Sequence, residues 1–299
     1  MKTAKGTATV RAKRDNRFAW AFFLPTSVYM FVFAFLPLLF VLGISLTDWN
    51  GMSFSDIQFL GFDNFVRFFT DSNYLRSLGN TVIMGVCILV LTMVIGFFLA
   101  LLLNGNIWAR GFHRVAWYIP GILSFAVISQ LFSSMLLPDG IINVILYRGF
   151  GIEPIAWKAS TFWMFFWIIV ISLWRGLGGT VLLYLAGLTG ISPELYEAAQ
   201  VEGCNRWQKT IYITLPMLRP MIGFILITSM INMFNIFEPV LLISEGGPEG
   251  STKVIMYLIY DEAFGGNNNM GMSCTASTIV LVLVMILTVI NLRMTKLNI

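Results

Sequence analysis

The chain has 299 residues, 57% of them hydrophobic and 11% charged, with a formal net charge of +4. Soluble domains carry about 25% charged residues, so folded in water this chain would leave far too much apolar surface uncovered. The composition excludes a water-soluble globular domain and points to an all-α, polytopic integral membrane protein in contact with membrane lipid, with no nucleic-acid partner.

Residues 1–17 are basic and polar, with Lys2, Lys5, Arg11, Lys13, Arg14 and Arg17. The apolar run that follows, 18–46, is longer than a signal-peptide core of about 7–15 residues and lacks an Ala-x-Ala site. It reads as an uncleaved first membrane helix, with Pro25 and Pro37 as candidate kinks. Five further apolar segments approach the roughly 20 residues that cross a bilayer. They lie at about 81–103, 115–137, 162–188, 221–243 and 274–292. No internal repeat or low-complexity linker interrupts them, so residues 1–299 read as one transmembrane domain with six spans.

Loop charge gives the orientation. Thirteen of the nineteen Lys and Arg residues fall with the N-terminus, Arg110 and Arg114, the Arg206–Arg219 stretch, and Arg293 with Lys296. Five fall in the opposite loops: Arg67, Arg76, Arg148, Lys158 and Lys253. Ten of the fifteen acidic residues share those opposite loops. The first side is therefore expected to be cytoplasmic and to hold both termini and the loop 189–217. Arg175 lies within a span.

In the outer loop 47–80, three of Phe62, Phe65, Phe68 and Phe69 share a helical face. That suits either an interfacial helix or a loop packed on the bundle. Cys87, Cys204 and Cys274 are far apart and odd in number, which gives no disulfide framework and reads as small apolar packing. His113, beside Arg110 and Arg114, reads as a solvated loop residue. No Gly-Lys pair occurs, so the chain carries no Walker-type phosphate loop, and HExxH and GxSxG are also missing. Gly176-Leu177-Gly178-Gly179 lies inside an apolar span, where close packing or a pore lining explains it better than phosphate binding.

The longest polar interruption between apolar segments of the C-terminal half is 189–217. Ser192 suits a helix N-cap, Pro193 the first helical position, and Glu194 the positive helix end. Gly203 suits a left-handed C-terminal turn. Asn205 can cap a second short helix, Arg206 to Tyr212, which Pro216 is expected to stop. An ordinary membrane loop with a surface helix would satisfy the same pattern.

The residues Glu197-Ala198-Ala199, then Glu202-Gly203, then Ile213, Leu215 and Pro216, resemble the EAA motif of permease subunits of bacterial ABC importers. Glu202 and Cys204 stand where Asp and Ala are common in that motif. Further matches run along the chain: Pro37, Ser45-Leu46-Thr47-Asp48-Trp49, Gly61-Phe62-Asp63-Asn64-Phe65, Asn80-Thr81, and Gly246-Gly247-Pro248 with Thr252, Tyr260 and Ala263-Phe264. These resemble permeases for oligosaccharides and glycerol phosphate, of the maltose type.

The resemblance implies a type I ABC importer permease fold and a non-catalytic transport subunit of the bacterial cytoplasmic membrane. It implies a homologous sister permease, two ATP-binding cassette ATPase subunits that bind ATP and Mg, and an extracytoplasmic sugar-binding protein. No cofactor is expected in this chain. Glu197, Ala198, Ala199, Glu202, Gly203, Leu215 and Pro216 are the expected coupling residues. Ser172, Arg175, Gly176 and Gly179 share one face of the fourth span, and Ser229, Asn232, Met233 and Ile236 repeat that spacing on the fifth. Those positions correspond to the sugar-lining faces of the maltose-type permease. Interhelical Ser–Asn pairing, with Arg175 bonded to a sister subunit, accounts for the same residues. Three rivals remain at this stage: an ABC permease for another solute such as polyamine or phosphate, a secondary transporter, and a structural membrane subunit.

Overall fold

A computed structural model describes Trp20 and Ser55 and residues 23–53, 57–105, 107–266 and 268–295. The N-terminal cations and Lys296 lie outside the described residues, as does the start of the apolar run at 18–19. The described chain is helical, and its regular ladder ends with one isolated bridge between Thr47 and Phe59. Four helices are long and apolar enough to span a membrane, and the number rises to six if each of two bent pairs counts as one span.

Helix α1 (Phe23–Ile44) packs mainly on the last helix and leaves most of its large apolar side chains facing outward. It is continuous through Pro37 because the turn before it, Phe31–Phe35, widens to a π-helix. There Leu36 donates to the Phe31 carbonyl, and the proline ring escapes the clash an α-turn would impose. Pro37 therefore widens α1 without breaking it.

Helix α2 (Asp63–Thr70) resolves the phenylalanine question both ways. Phe68 is fully buried in a core with Tyr74, Phe234 and Met272, and Phe65 packs against it. Phe62 and Phe69 face outward.

Helix α3 (Ser72–Asn104) starts nine residues before the expected Thr81. Its polar first turns are helical because they bond to residues within 251–262, far along the chain. Asn80 donates to the Ser251 and Lys253 carbonyls at 2.8 and 2.9 Å. The Thr81 hydroxyl accepts from the Ile255 amide at 2.8 Å. Tyr74 donates to Glu262 at 2.6 Å.

The third expected span, 115–137, is not one rod. Helix α4 (Arg110–Ile122) and helix α5 (Phe125–Met135) meet at 91°. Pro120 lies in the last turn of α4, and Leu123 and Ser124 take extended backbone before α5 begins. Helix α6 (Ile141–Phe150) then precedes a segment clasped by Asn143, which is 1% exposed. Asn143 accepts from the Ile155 amide and the Trp157 indole, both at 3.0 Å.

Helix α7 (Thr161–Thr189) packs along α3 and α4. A Cβ on Gly178 would strike the Trp117 carbonyl and the Tyr118 backbone, whereas one on Gly179 would meet nothing. Gly178 therefore serves close packing.

Helices α8 (Pro193–Val201) and α9 (Arg206–Met217) form a hairpin. Helix α10 (Arg219–Met233) leaves α9 at 67°. The fifth expected span, 221–243, is likewise broken. Helix α10 ends at Met233, and a short turn from Glu238 runs into a π-segment, Val240–Ser244. Pro239 has no N–H to continue the ladder back to Asn235. Helix α11 (Ile255–Phe264) and helix α12 (Met270–Thr295) complete the described chain.

The contacts sort the loops by end. Residues 45–80 and 244–271 bond to each other, and Thr161, which follows the 138–160 segment, donates to Ser251 at 2.9 Å. The α8–α9 hairpin lies at the opposite ends of α3 and α7, with Trp207 edge-on to Phe98. The Ser45–Trp49 and Gly61–Phe65 motifs are a clasp within the first group. Asn64 donates to the Ser45 and Thr47 carbonyls at 3.2 and 2.8 Å. Gly271 donates to the Trp49 carbonyl at 3.0 Å.

Candidate functional site

Two sites share one stretch of chain, the second built largely on the helices that precede and follow the first. The first is the α8–α9 hairpin. Ser192 occupies the N-cap position of α8 without a side-chain cap bond, and Pro193 opens the helix. At its end, Cys204 donates to the Ala199 carbonyl at 2.9 Å and Gly203 to the Gln200 carbonyl at 3.1 Å. Those two bonds make a Schellman close, with Gly203 left-handed at φ +81°. Asn205 then caps α9 in a full capping box: its Oδ1 accepts from the Gln208 amide at 2.9 Å, and the Gln208 Oε1 accepts from the Asn205 amide at 2.8 Å.

The second arm is longer than expected. Pro216 does not stop it at Tyr212; the turn Thr210–Thr214 widens to a π-helix and the helix runs on to Met217. Tyr196 and Thr214 hydroxyls lie 3.0 Å apart, and Lys209 donates to Gln200 Oε1 at 3.1 Å, so the arms are tied together. Glu197, Ala198, Glu202 and Gly203 are exposed, as is Leu215, while Ala199 is buried and Pro216 half-buried. Glu197 has no hydrogen bond or ion pair among the described residues. Val201, Trp207 and Tyr212 also face outward and are 90%, 66% and 73% exposed. Sequence reasoning passed over these three, although a valine and two aromatics in a polar loop were there to be read.

The second site is a cavity of about 320 Å³ near the middle of α3 and α7. Seven of the eight residues expected on the two helix faces line it: Ser172, Arg175, Gly176, Ser229, Asn232, Met233 and Ile236. Gly179 is not on its wall. The Arg175 Nε and the Ser172 hydroxyl are buried and have no hydrogen-bond partner among the described residues. The Arg175 guanidinium carbon sits 4.6 Å from the centre of the Phe125 ring, a cation–π contact.

Phe125 is the first residue of α5, so the 91° bend is what delivers it to Arg175. Sequence reasoning missed Phe125 because it missed the bend. It also missed Thr92 and Asn235 on the wall, and it noted Glu238 as a buried charge without placing it there. Glu238 had a signal, a carboxylate near the outer end of an apolar run. Gly85 lies on the wall where a Cβ would overlap the Met233 side chain.

The cysteines divide. Cys204 and Cys274 are half-buried, but Cys87 faces outward and does not pack inside the chain. His113 is half-buried and edge-on to Phe112, with ring centres 5.9 Å apart. It lies in helix α4 and not in the solvated loop expected.

Residues 94–296 match the family described as binding-protein-dependent transport system inner membrane component. The chain is similar to the lactose transport system permease protein LacF of Rhizobium radiobacter, at 33% identity over 272 residues covering 90% of each chain. It is 26% identical, over 93% of each chain, to the probable starch degradation products transport system permease protein AmyD of Thermoanaerobacterium thermosulfurigenes. Among solved structures it resembles a chain of a bacterial alginate ABC transporter in complex with an alginate pentasaccharide-bound periplasmic protein. The TM-score is 0.83 at 24% identity, over 96% of each chain, a likeness of fold. With the family match spanning most of its length and a relative at that identity, the chain belongs to the binding-protein-dependent transport system inner membrane components.

Proposed function

We propose that this chain is the sugar-translocating permease subunit of an ATP-binding cassette importer. Its own polar cavity forms part of the sugar path, and the exposed α8–α9 hairpin docks the ATPase that drives it. In this reading the hairpin and both termini are cytoplasmic, and the loops 47–80, 138–160 and 244–269 face outward. The partners are a homologous sister permease, two ATPase subunits that bind ATP and Mg, and an extracytoplasmic sugar-binding protein. No cofactor belongs to this chain.

One observation carries the path. A charged side chain at membrane depth is costly, by roughly 2.5–3.5 kcal/mol on insertion scales, unless it faces protein or water. Arg175 lies in mid-helix with a buried, unpartnered Nε, on the wall of a cavity shared with Ser229 and Asn232. A hydrated cavity supplies the water, and a polyhydroxyl ligand supplies acceptors. Asn232 both donates and accepts, as hydroxyls require. That the relatives carry lactose and starch products supports sugar over polyamine or phosphate.

For the hairpin, Glu197 is the residue proposed to meet a basic group of the ATPase, with Val201 and Trp207 as apolar contacts beside it. The test is uptake by the reconstituted importer of the sugar its binding protein retains. Arg175→Ala and Asn232→Ala should each lower uptake at least about tenfold, equivalent to about 1.4 kcal/mol, while assembly and binding-protein-stimulated ATPase activity survive. Normal transport by both variants places the path elsewhere, and failed assembly makes these residues structural.

A further inference from the structure

We infer that the cavity admits uncharged polyhydroxyl ligands and refuses anionic sugars, and that Glu238 is the residue that refuses them. This rests on the reading of the cavity as the sugar path. Arg175 and Glu238 are the two charged side chains on the cavity wall. They are not paired with each other: the one ion pair among the described residues joins Lys253 and Asp261. Glu238 makes no hydrogen bond among the described residues either. Each charge is therefore left for whatever enters the cavity.

The geometry divides the work between them. The Phe125 ring covers one side of the Arg175 guanidinium, 4.6 Å from its central carbon, and leaves the N–H edge as a donor. Glu238 can only accept when ionised, and Asn232 and Asn235 do both. The wall thus offers donors and acceptors and carries one charge of each sign, unpaired among the described residues. A sugar hydroxyl both donates and accepts, and it can bond to either charged group. A uronate or phosphate group only accepts. It can use Arg175, but Glu238, on the wall of the same cavity of about 320 Å³, repels it. A cationic solute meets the converse penalty from Arg175.

The test reads charge selection directly. Ser229, on the wall, is changed to Cys in a chain whose Cys87, Cys204 and Cys274 are Ser. The assembled importer in nanodiscs is treated with an anionic sulfonatoethyl or a neutral hydroxyethyl methanethiosulfonate. The ratio of the two rates is compared with that for free thiol. With Glu238 present, the anionic reagent should be disfavoured by roughly fivefold or more. Glu238→Gln should bring the ratio back toward that of free thiol, and Arg175→Gln should lower it further. Glu238→Asp keeps the charge and should keep the wild-type ratio, which separates electrostatics from a packing defect. A ratio that ignores Glu238→Gln overturns the inference. If transport is lost in Asn232→Ala while the ratio ignores Glu238→Gln, the path stands and the charge filter falls. If Arg175→Ala and Asn232→Ala transport normally, the path falls and the inference with it.

Discussion

Replacing Gly203 isolates one physical term. The residue sits at φ +81° between the two arms of the hairpin, and a Cβ built there meets nothing within 4 Å. No packing loss or steric clash therefore accompanies a substitution; the cost is backbone conformation alone. A left-handed residue with a Cβ costs roughly 1–2 kcal/mol, and Asn tolerates the region better than others. Gly203→Asn should be mildest, Gly203→Ala should cost about 1 kcal/mol, and Gly203→Val should cost most because of its β-branching. The reporter is the Cys204 amide, bonded to the Ala199 carbonyl at 2.9 Å across the turn. A cost of 1 kcal/mol makes its hydrogen exchange roughly fivefold faster, and 2 kcal/mol roughly thirtyfold faster. The ties between Tyr196 and Thr214 and between Gln200 and Lys209 survive, so membrane insertion should not change. In the reconstituted importer, sugar uptake should fall in the same order as exchange rises. Exchange in the Val variant at the wild-type rate would refute the reasoning, because no neighbouring contact is available to offset the backbone term.

Asn143→Ala should destabilise the segment after α6 by about 2–6 kcal/mol, since it orphans the Ile155 amide and the Trp157 indole, at about 1–3 kcal/mol for each buried donor; an unchanged thermal midpoint in detergent would count against that assignment. Gly178→Ala should impair folding or assembly through its collision with the Trp117 and Tyr118 backbone, whereas Gly179→Ala should behave as wild type; equal thermal midpoints for the two variants would show that helix α4 gives way. For orientation, single cysteines at Glu194 and Asp63 in a background without Cys87, Cys204 and Cys274 should react differently with an impermeant thiol reagent on intact cells. Labelling is expected at 63 alone, and labelling at 194 alone would invert the proposed topology.

Local chemistry was the legible part. Gly203 and Asn205 foretold the left-handed close and the N-cap, because both are decided by residues within six positions of one another. Seven of the eight residues that the resemblance pointed to line the cavity, and their i, i+3, i+4, i+7 spacing keeps each set on one face because helical phase is a local property too. What stayed hidden depends on direction and distant partners. Apolar length says how far a segment reaches but not whether it turns, so the 91° bend at Leu123–Ser124 and the break after Met233 were invisible. The start of α3 was misjudged because Tyr74, Ser77 and Asn80 look like loop residues. Tyr74 and Asn80 have partners 188 and 171 residues away, and no window along the chain contains those.

The prolines show why one local rule failed and what followed from it. A proline clashes with the carbonyl four residues back and cannot donate, so Pro216 was expected to end its helix. In the fold, the carbonyl at risk belongs to Tyr212, inside the π-turn Thr210–Thr214, where Leu215 bonds back to Thr210. Phe33 and Pro37 repeat the arrangement in α1, with Leu36 bonded to Phe31. Widening one turn removes the clash and keeps the rod. As a result α9 is continuous from the capping box at Asn205 to Met217, and α10, which carries Ser229 and Asn232, begins directly after Leu218. Leu218 is 1% exposed and packs in a core with Leu188 and Ile225, against the face that Gly187 leaves open. A push on the hairpin must either flex the chain at Leu218 or carry the cavity wall with it. Flexing there would pull a buried leucine from its packing, at roughly 1.5–3 kcal/mol for full exposure. Leu188 and Gly187 belong to α7 and Ile225 to α10, so the packing at the joint favours motion of α9, α10 and the adjoining end of α7 as one body.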